Sequence, residues 1–121
     1  MMTKGDSILI VDDSEEIRTP LKLMLELEGF DVVGVESGRA ALGVLRERDA
    51  FSLILLDLTM PDMSGTEFLD ERQKEGLDEK APVVIFSAAH LDQSELPPGV
   101  VGQIKKPIAF PDLIRSIKQL H

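Results

Sequence analysis

The sequence predicts an α/β domain built on a doubly wound parallel sheet. Three observations lead there. Short β-rich apolar runs alternate with stretches of helical spacing along the whole chain. The central run, "FSLILLD" (51–57), is unbroken in its apolar residues, as expected of a strand buried on both faces of a parallel sheet. At 121 residues the chain is the size of one domain. Such a length buries about two-thirds of the unfolded surface without staples.

"SILIVDD" (7–13) reads as the first strand. "SEEIRTPLKLMLELEG" (14–29) follows with helical spacing, and Ile17, Leu21, Met24 and Leu25 share one face. Gly29 is a natural stop, and Pro20, which lacks a backbone donor, predicts a kink or a late start. "DVVGV" (31–35) is the second strand, and Ser37 caps a helix over about 38–48 with Ala41, Leu42 and Leu45 inward. After the third strand, "SGTEFLDERQKEG" (64–76) is a helix and "APVVIFS" (81–87) the fourth strand. "VVGQIKKP" (100–107) is a fifth strand, weakened by Gly102 and Gln103. "FPDLIRSIKQL" (110–120) closes the fold, with Leu113, Ile114, Ile117 and Leu120 buried and Pro111 in the first turn. In "AAHLDQSELPPG" (88–99), Pro97 and Pro98 forbid a long helix, leaving one or two turns over 91–96. Residues 1–121 read as a single domain with its core over about 6–120 and no output domain.

The formal charge is −9, with 13 Lys and Arg against 22 Asp and Glu. That argues against phosphate-backbone binding, and the absence of Trp and Tyr removes base-stacking platforms, so no direct nucleic-acid partner is expected. Without cysteine, neither disulfides nor thiolate metal sites are available. No apolar run approaches the roughly 18 residues of a membrane span. "MMTKGDS" lacks the apolar stretch of a signal peptide, so a cytoplasmic protein with no membrane partner is expected.

Four strands end on polar residues: Asp12 and Asp13, then Asp57, Ser87 and Lys106. Polar residues often end strands, because the chain must leave the core there. In a parallel sheet, however, these ends share one edge, where ligands of open α/β sheets bind. Two carboxylates about 4 Å apart repel by roughly 4 kcal/mol at an effective dielectric near 20. A hard divalent cation such as Mg²⁺ offsets that cost through oxygen ligands. A carboxylate can also attack phosphorus, with a lysine and a hydroxyl steadying the transferred oxygens.

These residues carry a resemblance. "ILIVDDSEEIR", "LILLDLTMPDMSG", "VVIFSA" and "IKKP", in this order and spacing, resemble the response-regulator receiver domains of two-component signalling over about 6–120. The resemblance implies a flavodoxin-like (βα)5 fold with strand order 2-1-3-4-5 and a site between strands one and three. It implies Asp57 as the phosphoacceptor, and Asp12, Asp13, Asp57 and the Thr59 carbonyl as the Mg²⁺ site. Asp13 would bind directly and Asp12 largely through water. Ser87 is implied as the hydroxyl that moves toward the phosphoryl group. Lys106 is implied as its lysine contact, followed by Pro107 in a cis peptide. The implied partners are a sensor histidine kinase or histidine phosphotransferase and a downstream protein.

Two features depart from the family. Gln103 stands where a Tyr or Phe is usual, and 88–99 is short where the fourth helix belongs. Gln103 cannot report by a ring's packing change, so the loop 88–99 is expected to carry the conformational signal. The charge run 70–80 is expected to be a solvated helix face and turn, and His90 and His121 ordinary surface residues. Met60 and Met63 are expected to pack, and Lys106 rather than Lys105 to face the site. Two alternatives differ in class. An aspartyl-nucleophile phosphohydrolase needs a general acid where Thr59 stands. A receiver-like scaffold that is never phosphorylated would be marked by loss of a site residue.

Overall fold

The computed structural model describes residues 2–120; His121 lies outside them. Five strands form: β1 (Ser7–Val11), β2 (Asp31–Val35), β3 (Leu53–Leu56), β4 (Val83–Ser87) and β5 (Val100–Lys105). All neighbours pair in parallel, in the order β2-β1-β3-β4-β5. The helices are α1 (Glu15–Leu27), α2 (Gly38–Glu47), α3 (Gly65–Glu75) and α4 (Phe110–Lys118).

The two-residue period of the strands divides the apolar side chains between two cores. Ile8, Ile10, Leu53, Leu55, Val84 and Phe86 face one way, where Leu21 and Leu25 of α1 and Leu113 and Ile117 of α4 cover them. Leu9, Val11, Ile54, Leu56 and Val83 face the other way, against Ala41, Leu42 and Leu45 of α2 and Phe68 and Leu69 of α3. This is the doubly wound architecture, and it explains the unbroken "LILL" of β3, buried at all four positions.

Local signals set the helix ends. Ser37 Oγ accepts from Ala40 N at 3.0 Å, the expected cap of α2. At α3 the cap is reciprocal: Ser64 Oγ accepts from Glu67 N (3.1 Å), and Glu67 Oε1 accepts from Ser64 N (3.0 Å). Gly29 stands at φ +96° beyond α1, in the left-handed region that a turn out of a helix uses. Pro20 does not delay α1, which runs from Glu15 through it. The donor it lacks would have served the carbonyl of Glu16, an exposed residue of the first turn.

The fourth helix position holds only a 3-10 turn, Gln93–Glu95, capped by Asp92, whose Oδ1 accepts from Ser94 N at 3.1 Å. β5 is complete but irregular. Its register against β4 slips between Val83↔Val100 and Val84↔Gly102, so Val101 is an extra residue and stands 60% exposed.

The charge run 70–80 is not wholly a solvated face. Arg72 is 5% exposed, and its guanidinium donates to the carbonyls of Leu77 (3.1 Å), Asp78 (2.7 Å) and Ala81 (2.8 Å). Burial pushes its pKa down, and the nearby Asp78 and Glu79 push it back up. Asp78 in turn accepts from Ala50 N (3.0 Å) and Phe51 N (3.1 Å), tying the entry of β3 to the same loop. Replacing Arg72 with Met would leave three carbonyls without this donor. The expected loss is about 1.5–3 kcal/mol per the usual cost of a charged hydrogen-bond donor, read as a lower urea midpoint. An unchanged midpoint would show that water replaces the guanidinium freely.

Candidate functional site

The strand order puts the carboxyl ends of β1 and β3 side by side, at the point where the chain's winding reverses. Asp12 and Asp13 follow β1 directly, and Asp57 follows β3. Asp57 N donates to Val11 O at 2.9 Å, so the ladder itself sets the height of this carboxylate. Beyond β4 and β5 stand Ser87 and Lys106, linked by Lys106 N donating to Ser87 O at 3.0 Å.

Asp57 is 7% exposed and Asp12 1% exposed. Each has donors that make burial tolerable. Asp57 Oδ1 accepts from Ser87 Oγ at 2.7 Å and from Thr59 N at 3.1 Å. Asp12 Oδ1 accepts from Ser14 N at 2.9 Å. Lys106 Nζ lies between the two carboxylates, 2.7 Å from Asp12 Oδ2 and 3.4 Å from Asp57 Oδ2. The Phe86 ring lies beneath that ammonium, 5.0 Å from centroid to Nζ. The Lys106–Pro107 peptide is cis. Lys105 is exposed, so the lysine facing the mouth is Lys106.

Asp13 completes the mouth from its exposed rim. Asp12, Asp13 and Asp57 each offer a carboxylate oxygen, and these oxygens all lie within 4.8 Å of one another. Three formal negative charges thus face one ammonium. The donors are all hard oxygens, with an open side at Asp13, which fits a hard divalent cation that keeps some water.

The loop after Asp57 is packed against the start of α3. Gly65 N donates to Leu58 O at 2.8 Å. A Cβ on Gly65 would lie 2.7 Å from the carbonyl oxygen of Asp57 and 2.8 Å from Leu58 Cα, both backbone atoms that cannot yield cheaply. Met60 is buried and Met63 partly buried against the α2–α3 side, as expected of packing residues.

The structure also brings in one residue to which no motif gave a role. Arg18 donates from Nη1 to Asp12 O at 2.7 Å, bracing the turn that carries both aspartates. Its stem crosses β2 at Gly34, where a Cβ would come within 3.1 Å of Arg18 Cγ. Gln103 does not point idly into the space of a missing ring: its amide bonds to Leu91. Ser87, fully buried, already contacts Asp57, so it needs no inward movement to reach that carboxylate. His90 is exposed, 3.5 Å from the Gln103 amide nitrogen.

Comparison with known proteins decides the family. The sequence profile of the response regulator receiver domain matches residues 8–118. The chain belongs to the response regulator receiver domain family. This receiver domain is 36% identical to a CpxR transcriptional regulatory protein homolog of Haemophilus influenzae, over 93% of this chain and 49% of that protein. It is 34% identical to YkoG of Bacillus subtilis, described as an uncharacterized transcriptional regulatory protein, over 97% of this chain and 51% of that one. The receiver domain therefore spans about half the length of the curated relatives it matches. Among solved structures it resembles the response regulator TrrA of Thermotoga maritima in complex with Mg²⁺ and BeF. Identity there is 30%, with a TM-score of 0.78, covering 96% of this chain and 99% of that one. Receiver domains are signalling modules rather than classical enzymes, and as a class they interact with histidine kinases and downstream effectors. No helix among the described residues is long and apolar enough to cross a membrane.

The crowding of charge in this receiver domain has a thermodynamic consequence. Mg²⁺ binding only the folded state should stabilise it by about 1.4 kcal/mol at ten times its dissociation constant. Lys106→Met removes the ammonium that, among the described residues, pairs with these oxygens, so it should lower the metal-free unfolding midpoint and enlarge the Mg²⁺-induced rise. Thermal unfolding of both proteins, with and without Mg²⁺, checks this. The same Mg²⁺ shift in both would mean that Lys106 and the metal do not share the site.

Proposed function

We propose that the domain accepts a phosphoryl group on Asp57 from a phosphohistidine of a sensor kinase or histidine phosphotransferase. The observation that carries this is the convergence on one carboxylate. Asp57 is met by the Ser87 hydroxyl and the Lys106 ammonium, and two further carboxylates bring oxygens within 4.8 Å of its own. In the reaction an Asp57 oxygen attacks phosphorus as the donor's P–N bond breaks, and the released imidazole keeps the electron pair and takes up a proton. Asp12, Asp13, Asp57 and the Thr59 carbonyl would hold Mg²⁺, with Asp12 acting largely through water. When bound, Mg²⁺ offsets the charge on the phosphoryl oxygens. Lys106 pairs with a second oxygen, and the proton that Ser87 now gives to Asp57 is the one a phosphoryl oxygen would take over.

The product carries roughly one to two added negative charges and new acceptor oxygens. A partner reads the change in the surface around the mouth. Catalysis on other molecules is not part of this reading: Thr59 has no acid to offer a leaving group. Self-phosphorylation and self-dephosphorylation are the only reactions it promotes. Residues 1–121 act as one receiver unit, with a protein as its downstream target. A phosphohistidine donor charged from ATP sets its workplace in the cytoplasm.

Incubation with Mg²⁺ and acetyl phosphate, followed by intact-mass measurement, tests the proposal. The wild-type protein should gain one phosphoryl mass, and Asp57→Asn, which keeps the shape but not the nucleophile, should gain none. A mass gain by the variant at the wild-type rate would remove Asp57 from the role. No gain in either protein would support the scaffold instead.

A further inference from the structure

The Gln103 side chain is fully engaged with another segment's backbone. Its Oε1 accepts from Leu91 N at 2.9 Å, and its Nε2 donates to Leu91 O at 2.9 Å. The pair of bonds fixes the amide's orientation, since turning it over would set donor against donor and acceptor against acceptor. A side-chain amide thus pairs with Leu91 much as a neighbouring strand would. Nε2 also lies 3.5 Å from His90 Nε2.

Leu91 belongs to the stretch 88–92, which lies between β4 and the 3-10 turn and is neither helix nor strand. The same stretch touches the mouth at its other end. Ala89 N donates to Ser87 Oγ at 3.2 Å, and Ser87 Oγ donates to Asp57 Oδ1 at 2.7 Å. A hydroxyl has a single proton. With the Ala89 N–H on its oxygen, that proton is directed at Asp57. The direction depends on Ala89 staying in place, and 88–91 has no helical hydrogen bonds to hold it.

We propose that Gln103 is a positioning residue. By clamping Leu91 it keeps the Ala89 N–H on Ser87, so the hydroxyl faces Asp57 before any phosphoryl group arrives. The proposal rests on the reading of Asp57 as acceptor. It also gives Gln103 a task different from that of the ring it replaces: the loop is held in advance by hydrogen bonds instead of following a ring's change of packing. Glu at 103 keeps the reach but loses the Nε2 donor and sets an oxygen against Leu91 O. Ala removes both bonds.

Beryllofluoride, a phosphoryl mimic, tests this by calorimetry in saturating Mg²⁺. Gln103→Ala and Gln103→Glu should each weaken its binding by about three- to tenfold, the range for losing one well-made hydrogen bond. Affinity for Mg²⁺ alone should not change. In a Ser87→Ala background the Gln103 substitutions should have no further effect, because they act through that hydroxyl. Amide hydrogen exchange supplies the independent readout: Leu91 N–H should be protected in wild type and exchange faster in both variants. Equal weakening with and without Ser87 would overturn the proposal, as would a Leu91 amide equally protected in Gln103→Ala. Wild-type protein that bound no beryllofluoride would instead overturn the acceptor reading.

Discussion

Two buried carboxylates sharing one ammonium is the constraint from which the rest of the mouth follows. Asp12 and Asp57 lie on adjacent strands' ends because β1 and β3 are paired, and parallel pairing gives the chain no means of separating them. Left alone they would repel strongly, and each would pay desolvation as well. The fold answers with directed donors: Ser14 N for Asp12, Thr59 N and Ser87 Oγ for Asp57, and Lys106 Nζ between them. Asp13 then adds a third negative charge on the exposed side. The site is therefore complete as a scaffold yet short of positive charge, which is the state that favours a divalent cation.

The supports of the mouth come from every side of the sheet. Arg18, braced over Gly34, holds the Asp12 carbonyl from β2's side. The Ser64–Glu67 box and the close approach of Gly65 hold the Asp57 loop against α3. Between β4 and β5 the described residues hold no α-helix, only the 3-10 turn and the bulge at Val101. That side is the least regular part of the domain, and just beyond Ser87 side-chain hydrogen bonds hold Ala89 and Leu91. Low local stability is a property of segments from which functional movement is drawn.

Much of this was legible in the sequence because it was written in periods. The apolar runs of the strands, the helical stripes and the cap at Ser37 all depend on neighbours a few residues away. The polar strand ends were legible because a parallel sheet aligns them whatever their distance in sequence. What escaped was a set of contacts with no period. Gln103 pairs with a backbone 12 residues away, and nothing in "VVGQIKKP" announces that partner. Arg18 supports a carbonyl, an atom every residue carries. Arg72 is different: it lies four residues after Phe68 and three after Leu69, so helical spacing did place it on the buried face, and its charge masked the signal. Pro20 misled in the opposite sense, since one missing donor in an exposed turn costs little when packing holds the rest of α1.

The central claim is that Asp57, alone among the three carboxylates, is the nucleophile, while Asp12 and Asp13 serve the cation. Reductive trapping tests this at the level of the residue. Borohydride reduces an acyl phosphate to the alcohol, leaving homoserine wherever the phosphoryl group stood. After treatment of the wild-type protein with acetyl phosphate and Mg²⁺, peptide mass spectrometry should find homoserine in place of Asp57 only, and almost none without Mg²⁺. Homoserine in place of Asp12 or Asp13, or an equal yield at Asp57 without the metal, would contradict the account.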